Sequence, residues 1–375
     1  VTDLPVLLDA TSIPPNRGGV ARYIAGLLVG LHERSRAIDV VVKAEDVEWL
    51  HAQAPSHRYR IAPAAVSRRP VRFVWEQLML PAMVRRVGAT TLHAPHYTFP
   101  VLIGSSTVVT LHDATFFSDP SSHSRLKVTF FRFWTRFARR AAKATVTPSR
   151  ATADELDRLA GRANGPTVVA HLGVDTNTFR RPTTDDRREF AERHRIDPAR
   201  GWIAFLGTIE PRKRVPALID AHARRCADDP TTPPLLVAGG LGWDDEARQR
   251  LERAGDTPGA PLRYLGYLPI EELGTFLGGA EVVAYPSIAE GFGLPVLEAM
   301  AAGGNVLTTR RLAIPEVGGE AVTYAEPDAT SLTEALASLQ TEPQETTEAR
   351  RIAAHDRAAT FTWSACAEAH LGVYA

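Results

Sequence analysis

Cysteine, methionine and long apolar runs are what this chain of 375 residues has least of. Its two cysteines, Cys226 and Cys366, stand far apart and without metal-type spacing, which excludes a disulfide framework and a zinc pattern. No apolar stretch approaches the roughly 20 residues that a membrane-spanning helix needs. The opening Val1-Thr2-Asp3-Leu4-Pro5 lacks a basic start and runs straight into the strand-like Val6-Leu7-Leu8-Asp9. A secretory leader is therefore not expected, and a cytoplasmic location is. Net charge is absent too, because 43 Lys and Arg balance 43 Asp and Glu. What is present is enough apolar material, 44% of residues, for more than one core.

The balance of charge hides an asymmetry. Residues 1–178 carry 22 Lys and Arg against 14 Asp and Glu, and residues 179–375 carry 21 against 29. A basic first half and an acidic second half fit either attraction across a cleft or a basic face for an anionic partner. Both halves share one grammar. Short β-branched runs at 6–10, 40–42, 91–93, 108–111 and 144–147 alternate with helical patterns near 20–34, 71–86 and 125–143. The turn-rich stretch 173–184 interrupts this, and the pattern restarts with strands at 203–206, 235–238, 263–265, 282–284 and 306–308. Alternation of this kind predicts parallel strands with helical crossovers, hence an α/β fold of two doubly wound sheets. The predicted domains are 1–178 and 179–360, followed by a terminal helical stretch, 361–375.

Open α/β sheets bind ligands beyond the carboxyl ends of their strands, and the chemistry-bearing motifs fall there. The most specific is Glu290-Gly291-Phe292-Gly293-Leu294-Pro295-Val296-Leu297-Glu298, with one acid before a glycine turn and the other about one turn into a helix. One carboxylate can hold hexose hydroxyls and the other ribose hydroxyls, while main-chain amides from Gly291 to Leu294 face an anion. Arg212 and Lys213, after the 203–206 strand and its Gly207 turn, can clamp a pyrophosphate and neutralise a leaving group. Gly18 and Gly19 lie between a strand and a helix, where backbone can approach a phosphate, but they are no complete G-x-G-x-x-G fingerprint. Gly239-Gly240-Leu241-Gly242 reads equally as a ligand loop or a structural turn.

These motifs resemble, in order and spacing, the E-x7-E signature and its companions in the retaining glycosyltransferases of family 4. The companions are Gly18-Gly19-Val20-Ala21-Arg22-Tyr23, Thr110-Leu111-His112-Asp113, Thr147-Pro148-Ser149-Arg150, Gly207-Thr208-Ile209-Glu210-Pro211-Arg212-Lys213 and Pro315-Glu316-Val317-Gly318-Gly319. The resemblance spans essentially the whole chain. It implies the GT-B fold, two Rossmann-like doubly wound domains facing across a cleft, with the last helix returning to the N-terminal domain. It implies a donor site formed by Gly18, Gly19, Arg212, Lys213, Leu268, Glu290, Gly291, Phe292, Gly293, Leu294 and Glu298, with the base near Leu268 held largely through main chain. His112, Arg212, Lys213 and Glu290 are the implied catalytic group, and His93, His96 and Asp113 the implied acceptor contacts. It implies a nucleoside-diphosphate sugar as substrate, no separate cofactor and no metal. The Thr-Leu-His-Asp and His-Ala-Pro-His patterns look most like a mannosyltransferase branch making polysaccharide or glycolipid, so GDP-mannose is the first expectation. A UDP-hexose enzyme and a silent glycan-binding module of the same fold are the alternatives.

Three readings remain beside the main one. An NAD-dependent oxidoreductase would also use doubly wound sheets, but no ribose-binding acid follows the first strand at the right distance. His93 and His96 have a metal-like spacing, yet Pro95 between them disfavours a helix and no acid or cysteine stands beside them. Residues 125–143 carry seven Lys and Arg, no acid, and aromatics at helical spacing. Such a helix suits the inner face of an anionic plasma membrane, and it equally suits an ordinary domain helix with its aromatic face in the core. Nothing in the sequence points to a nucleic-acid partner.

Overall fold

The computed structural model describes residues 1–15, 17–120 and 124–374. The chain forms two compact units, Val1–Gly173 with Phe361–Ala375 and Val174–Thr360. In the first, β1 (Thr2–Asp9), β2 (Arg36–Val42), β3 (Arg58–Ile61), β4 (Thr91–Ala94), β5 (Thr107–Thr110), β6 (Ala144–Thr147) and β7 (Thr167–Val169) form one sheet. Their spatial order is β3-β2-β1-β4-β5-β6-β7 and each neighbouring pair is parallel. Leu7, Leu8, Val40, Val41, Leu92, Val108 and Val109 are wholly buried, as expected of strands covered by helices on both faces.

The second unit holds β8 (Ile203–Leu206), β9 (Leu235–Ala238), β10 (Leu262–Gly266), β11 (Val282–Tyr285), β12 (Val306–Thr308) and β13 (Thr323–Tyr324), again all parallel. Their order, β10-β9-β8-β11-β12-β13, is the doubly wound arrangement of a dinucleotide-binding sheet. The order reverses between β8 and β11, and the two loops leaving these strands there carry the candidate site.

Two local features depart from the sequence reading. The helix expected over 71–86 is two helices, Arg69–Leu78 and Leu80–Arg86. Pro81 causes the break, since it lacks an amide hydrogen and its ring collides with a preceding helical carbonyl. The strands β3, β7 and β13 are additional, short and at or near sheet edges. In β3 the edge is blunted by Arg58 and Arg60, which pair with buried Asp39 on β2.

The terminal helix Trp363–Tyr374 belongs to the first unit and lies against the helix Gly19–Glu33. Glycines make that approach possible. A side-chain carbon at Gly26 would lie 2.1 Å from the Trp363 ring, and one at Gly30 would lie 2.0 Å from the Trp363 carbonyl oxygen. A buried polar chain fastens the far end: Tyr23 meets His370 Nε2 at 2.7 Å and Tyr374 meets His93 Nδ1 at 2.8 Å.

Candidate active site

Beyond β8 the chain turns at Gly207, makes one turn of 3-10 helix over Pro211–Lys213, and leaves it through Arg214 in the left-handed conformation. Lys213 is thereby folded inward and is 5% exposed. Gly207 makes room for it, because a side-chain carbon there would stand 3.2 Å from Nζ. Gly239, at φ +122°, in turn lies on Gly207, where any side-chain carbon would come within 2.2 Å of the Gly207 carbonyl oxygen. Gly242 makes a similar approach to the Ile209 carbonyl. Backbone packing thus accounts for Gly239 and Gly242 of the Gly239-Gly240-Leu241-Gly242 run, which favours the structural-turn reading.

Beyond β11, the loop through Pro286 brings Tyr285, Ser287 and Glu290 to the same place. Glu290 Oε1 accepts hydrogen bonds from Ser287 Oγ at 2.7 Å and from the Tyr285 hydroxyl at 2.8 Å. It also pairs with the Arg212 guanidinium and lies 3.4 Å from Lys213 Nζ. Lys213 Nζ donates to the Tyr285 hydroxyl and sits 4.7 Å from the centre of its ring. Arg212 further donates to the Ala289 carbonyl at 2.6 Å and pairs through Nε with Glu210 at 2.7 Å. The amide of Ile288 donates to the Arg212 carbonyl at 2.9 Å, so the β8 and β11 loops are laced together.

Electrostatics follow from this geometry. Burial alone would raise the Glu290 pKa, but the charges of Arg212 and Lys213 and the Ser287 and Tyr285 hydroxyls outweigh it and hold the carboxyl down to about 2. Burial pulls the Lys213 pKa below its ordinary value, against the opposing pull of Glu290. Two cations face two carboxylates, Glu210 and Glu290. A phosphate arriving here can take over Arg212 and Lys213 as Glu290 turns to hydroxyl groups, an exchange of one anion for another.

The rest of the expected donor residues lie in the same unit. Gly293, in the left-handed region at φ +100°, opens the helix Leu294–Ala301, and a β-carbon there would be strained. Glu298 sits in the second turn of that helix and is 2% exposed. The Phe292 side chain is buried, so its offer to a ligand is main chain. Leu268, half-buried, follows the edge strand β10. Exposed Tyr267 brings its hydroxyl within 2.3 Å of where a β-carbon on Gly240 would stand.

Gly18, Gly19, His93, His96, His112 and Asp113 lie in the first unit. Gly18 caps the helix that begins at Gly19, and a side-chain carbon on Gly19 would meet nothing within 4 Å. His112 is half-buried, and its Nε2–H donates to the Pro95 carbonyl at 2.7 Å, leaving Nδ1 as the other ring nitrogen. Burial lowers its pKa, so the ring is neutral at pH 7. Asp113 Oδ1 is taken by the amide and hydroxyl of Thr115, at 2.9 and 2.6 Å. His96 is half-buried, and burial pushes its pKa down to about 3. His93 requires a correction. It is wholly buried on β4, with Nε2 on Thr110 at 2.8 Å and Nδ1 on Tyr374, so it braces the unit's interior and has no open face for an acceptor.

Sequence reasoning missed Tyr285, Ser287 and Glu210. Glu210 stood inside a quoted motif beside the cations. Tyr285 and Ser287 read as the end of a strand and its turn, and only their three- and five-residue spacing before Glu290 hinted that they would meet it.

Fold and site place the chain among the glycosyltransferases built on the GT-B fold. Comparisons with known proteins then narrow the class. Residues 186–356 match the family model described as glycosyl transferases group 1, and residues 17–178 match that of glycosyltransferase family 4. Over 285 residues the chain is 30% identical to the O-antigen chain mannosyltransferase B of Escherichia coli, covering 75% of this chain and 73% of that one. A GDP-mannose-dependent alpha-(1-6)-phosphatidylinositol dimannoside mannosyltransferase of Mycobacterium tuberculosis is 29% identical over 58% of this chain and 54% of its own. The solved structure of a sucrose-phosphate synthase from Thermosynechococcus elongatus superposes with a TM-score of 0.78 at 18% identity, covering 100% of this chain and 98% of that one. The chain belongs to glycosyltransferase family 4, and it is a retaining hexosyltransferase of the mannosyltransferase-like branch.

Proposed function

We propose that the protein moves mannose from GDP-mannose to a hydroxyl of a glycan or lipid-linked acceptor. The observation that carries this reading is the Arg212–Lys213–Glu290 cluster at the switch point of the second sheet. In this reading Arg212 and Lys213 take the diphosphate, Glu290 and Glu298 take sugar and ribose hydroxyls, and the amides of Gly291 to Leu294 face the anion. Leu268 lies by the base, and Gly18 and Gly19 offer backbone to the phosphates. The first unit selects the acceptor, with His96 and Asp113 as contacts and His112 beside the reacting sugar. The sugar C1–O bond to phosphate breaks as the C1–O bond to the acceptor forms on the same face. The acceptor proton passes to the departing phosphate oxygen. A Glu290 carboxyl held at about 2 is too weak a base near pH 7 to take that proton, which favours the route through phosphate. Charge on the leaving group is met by the two cations rather than by a metal.

The relatives' names support mannose and a polysaccharide or glycolipid product. Among the described residues no helix is long and apolar enough to cross a membrane. Peripheral attachment at the cytoplasmic face of the plasma membrane, through the basic helix of residues 125–143, completes the reading. A panel of GDP- and UDP-sugars, scored for donor hydrolysis and for thermal stabilisation, tests the donor. GDP-mannose is expected to register most strongly, and a response confined to UDP-sugars would sink the mannose assignment while leaving the transferase intact.

A further inference from the structure

The helix Arg125–Ala141 does not bury all of its apolar side chains. Trp134 and Ala138 enter the core, whereas Leu126, Phe130 and Phe133 form a second row on the surface, with Leu126 81% and Phe133 59% exposed. The helix Arg69–Leu78 behaves alike: Trp75 is inside, while Val74 and Leu78 are 55% and 69% exposed. Between them the turn Val101–Ser106 presents Leu102, 85% exposed. These segments are neighbours. Phe73 meets Phe130 and Trp134 at ring separations of 5.9 and 5.7 Å. Gln77 bonds the Phe99 carbonyl at 2.9 Å and the Val101 amide at 3.1 Å, and Phe99 stacks on Phe137.

The charge around this apolar surface has one sign. Exposed Arg68, Arg69, Arg125, Lys127, Arg136 and Arg140 make no ion pair with a carboxylate among the described residues. The two helices and the turn contain one acid, Glu76, which is 1% exposed and turned inward to Thr98 and Arg72. A groove of about 420 Å³ on the outer side of the 125–141 helix is lined by Thr129, Arg132, Phe133, Arg136, Phe137 and Arg140. Three guanidinium groups beside two rings suit a phosphate headgroup with its acyl chain alongside.

We infer that the first unit docks on an anionic lipid bilayer through a composite surface, the helices Arg69–Leu78 and Arg125–Ala141 with the turn Val101–Ser106 inserted between them. The inference rests on the peripheral-membrane reading above and extends it from one helix to three segments. A second copy of the chain is the poorer occupant, since symmetric self-pairing would set this cationic rim against itself. A soluble polyanion would leave the apolar row in water. A bilayer covers both.

Flotation of the full chain with phosphatidylcholine vesicles, with and without phosphatidylglycerol, tests it. The chain is expected to float with the anionic vesicles and to be released by salt. The double variant L78D/L102D, which leaves the 125–141 helix untouched, should weaken binding roughly tenfold or more, as should F133D. Binding lost in F133D but normal in L78D/L102D would overturn the composite surface and leave the single-helix reading standing. No flotation of the unaltered chain at low salt would overturn both, and GDP-mannose turnover would still report separately on the transferase. Hydrogen exchange of the unaltered chain guards against misfolded variants. Vesicles should protect residues 69–78 and 101–106 as well as 125–141, and protection confined to 125–141 would contradict the proposal.

Discussion

One oxygen of Glu290 gathers Arg212, Lys213, Tyr285 and Ser287, and the consequences of that crowding are local. The carboxylate pairs with the two cations that the proposed donor would use. Tyr285 is the intermediary. Its hydroxyl accepts from Lys213 and donates to Glu290, and burial, with the Glu290 charge adding to it, raises its pKa well above the ordinary value, so it stays a neutral donor. Tyr285→Phe keeps the ring under the ammonium and removes only the bridge. Hydrogen bonds to charged groups are worth roughly 1.5 to 3 kcal/mol, so kcat/KM for the donor should fall about 10- to 100-fold, and because the bridge is buried the melting temperature should fall as well. An unaltered kcat/KM would mean that Lys213 is positioned by burial alone.

Helix against helix, the deciding residues are glycines. Gly30→Ala forces a methyl to within 2.0 Å of the Trp363 carbonyl, where neither helix backbone can give way cheaply. Overpacking of this kind costs about 1 to 3 kcal/mol, so urea unfolding should show that loss for Gly30→Ala and almost none for Gly19→Ala, whose new methyl meets open space. Equal stability of the two variants would refute the close approach. Elements of this sort also show what the sequence makes legible. Central strands such as β5 and β8 are readable because burial on both faces favours a short run of apolar and β-branched residues, Thr-Val-Val-Thr and Ile-Ala-Phe-Leu. The strand β3, Arg-Tyr-Arg-Ile, is not, because its arginines answer to Asp39 on a neighbouring strand. Glu290, Arg212 and Lys213 are visible as motifs, whereas Tyr285 joins them only once the β8 and β11 loops meet. His93 misleads for the opposite reason: its neighbours place it at the end of a strand, and only the terminal helix, nearly 300 residues on, supplies the Tyr374 hydroxyl that closes it in.

At the scale of the whole molecule, buried and half-buried histidines set the response to acid. His57, His93, His96, His112, His222 and His370 all have pKa values lowered by burial, His370 to about 4 and His96 to about 3. Below their ordinary value of 6.5 the unfolded chain takes up protons that the folded chain refuses. Their contribution is therefore present above pH 6.5 and lost as pH falls, each group adding about 1.4 kcal/mol per pH unit to the slope. Glu290 adds to the loss between its ordinary 4.5 and about 2. Glu76 and Glu155 work the other way: burial raises both, Glu76 to about 7 with the Asp9 charge adding to it, so their contributions fade as pH rises above 4.5. Six groups outweigh two, and the melting temperature should drop steeply from pH 7 to pH 5, whereas a flat profile would show that the histidines are open to water. In the proposed function Arg212 and Lys213 hold the donor's diphosphate at the β8–β11 switch point. Calorimetric titration of GDP, with UDP alongside, into the unaltered chain and into Arg212→Ala and Lys213→Ala tests it most directly. Each substitution is expected to weaken nucleoside-diphosphate binding roughly a hundredfold with the circular dichroism preserved, and affinity unchanged in both variants would remove the two cations from the donor site.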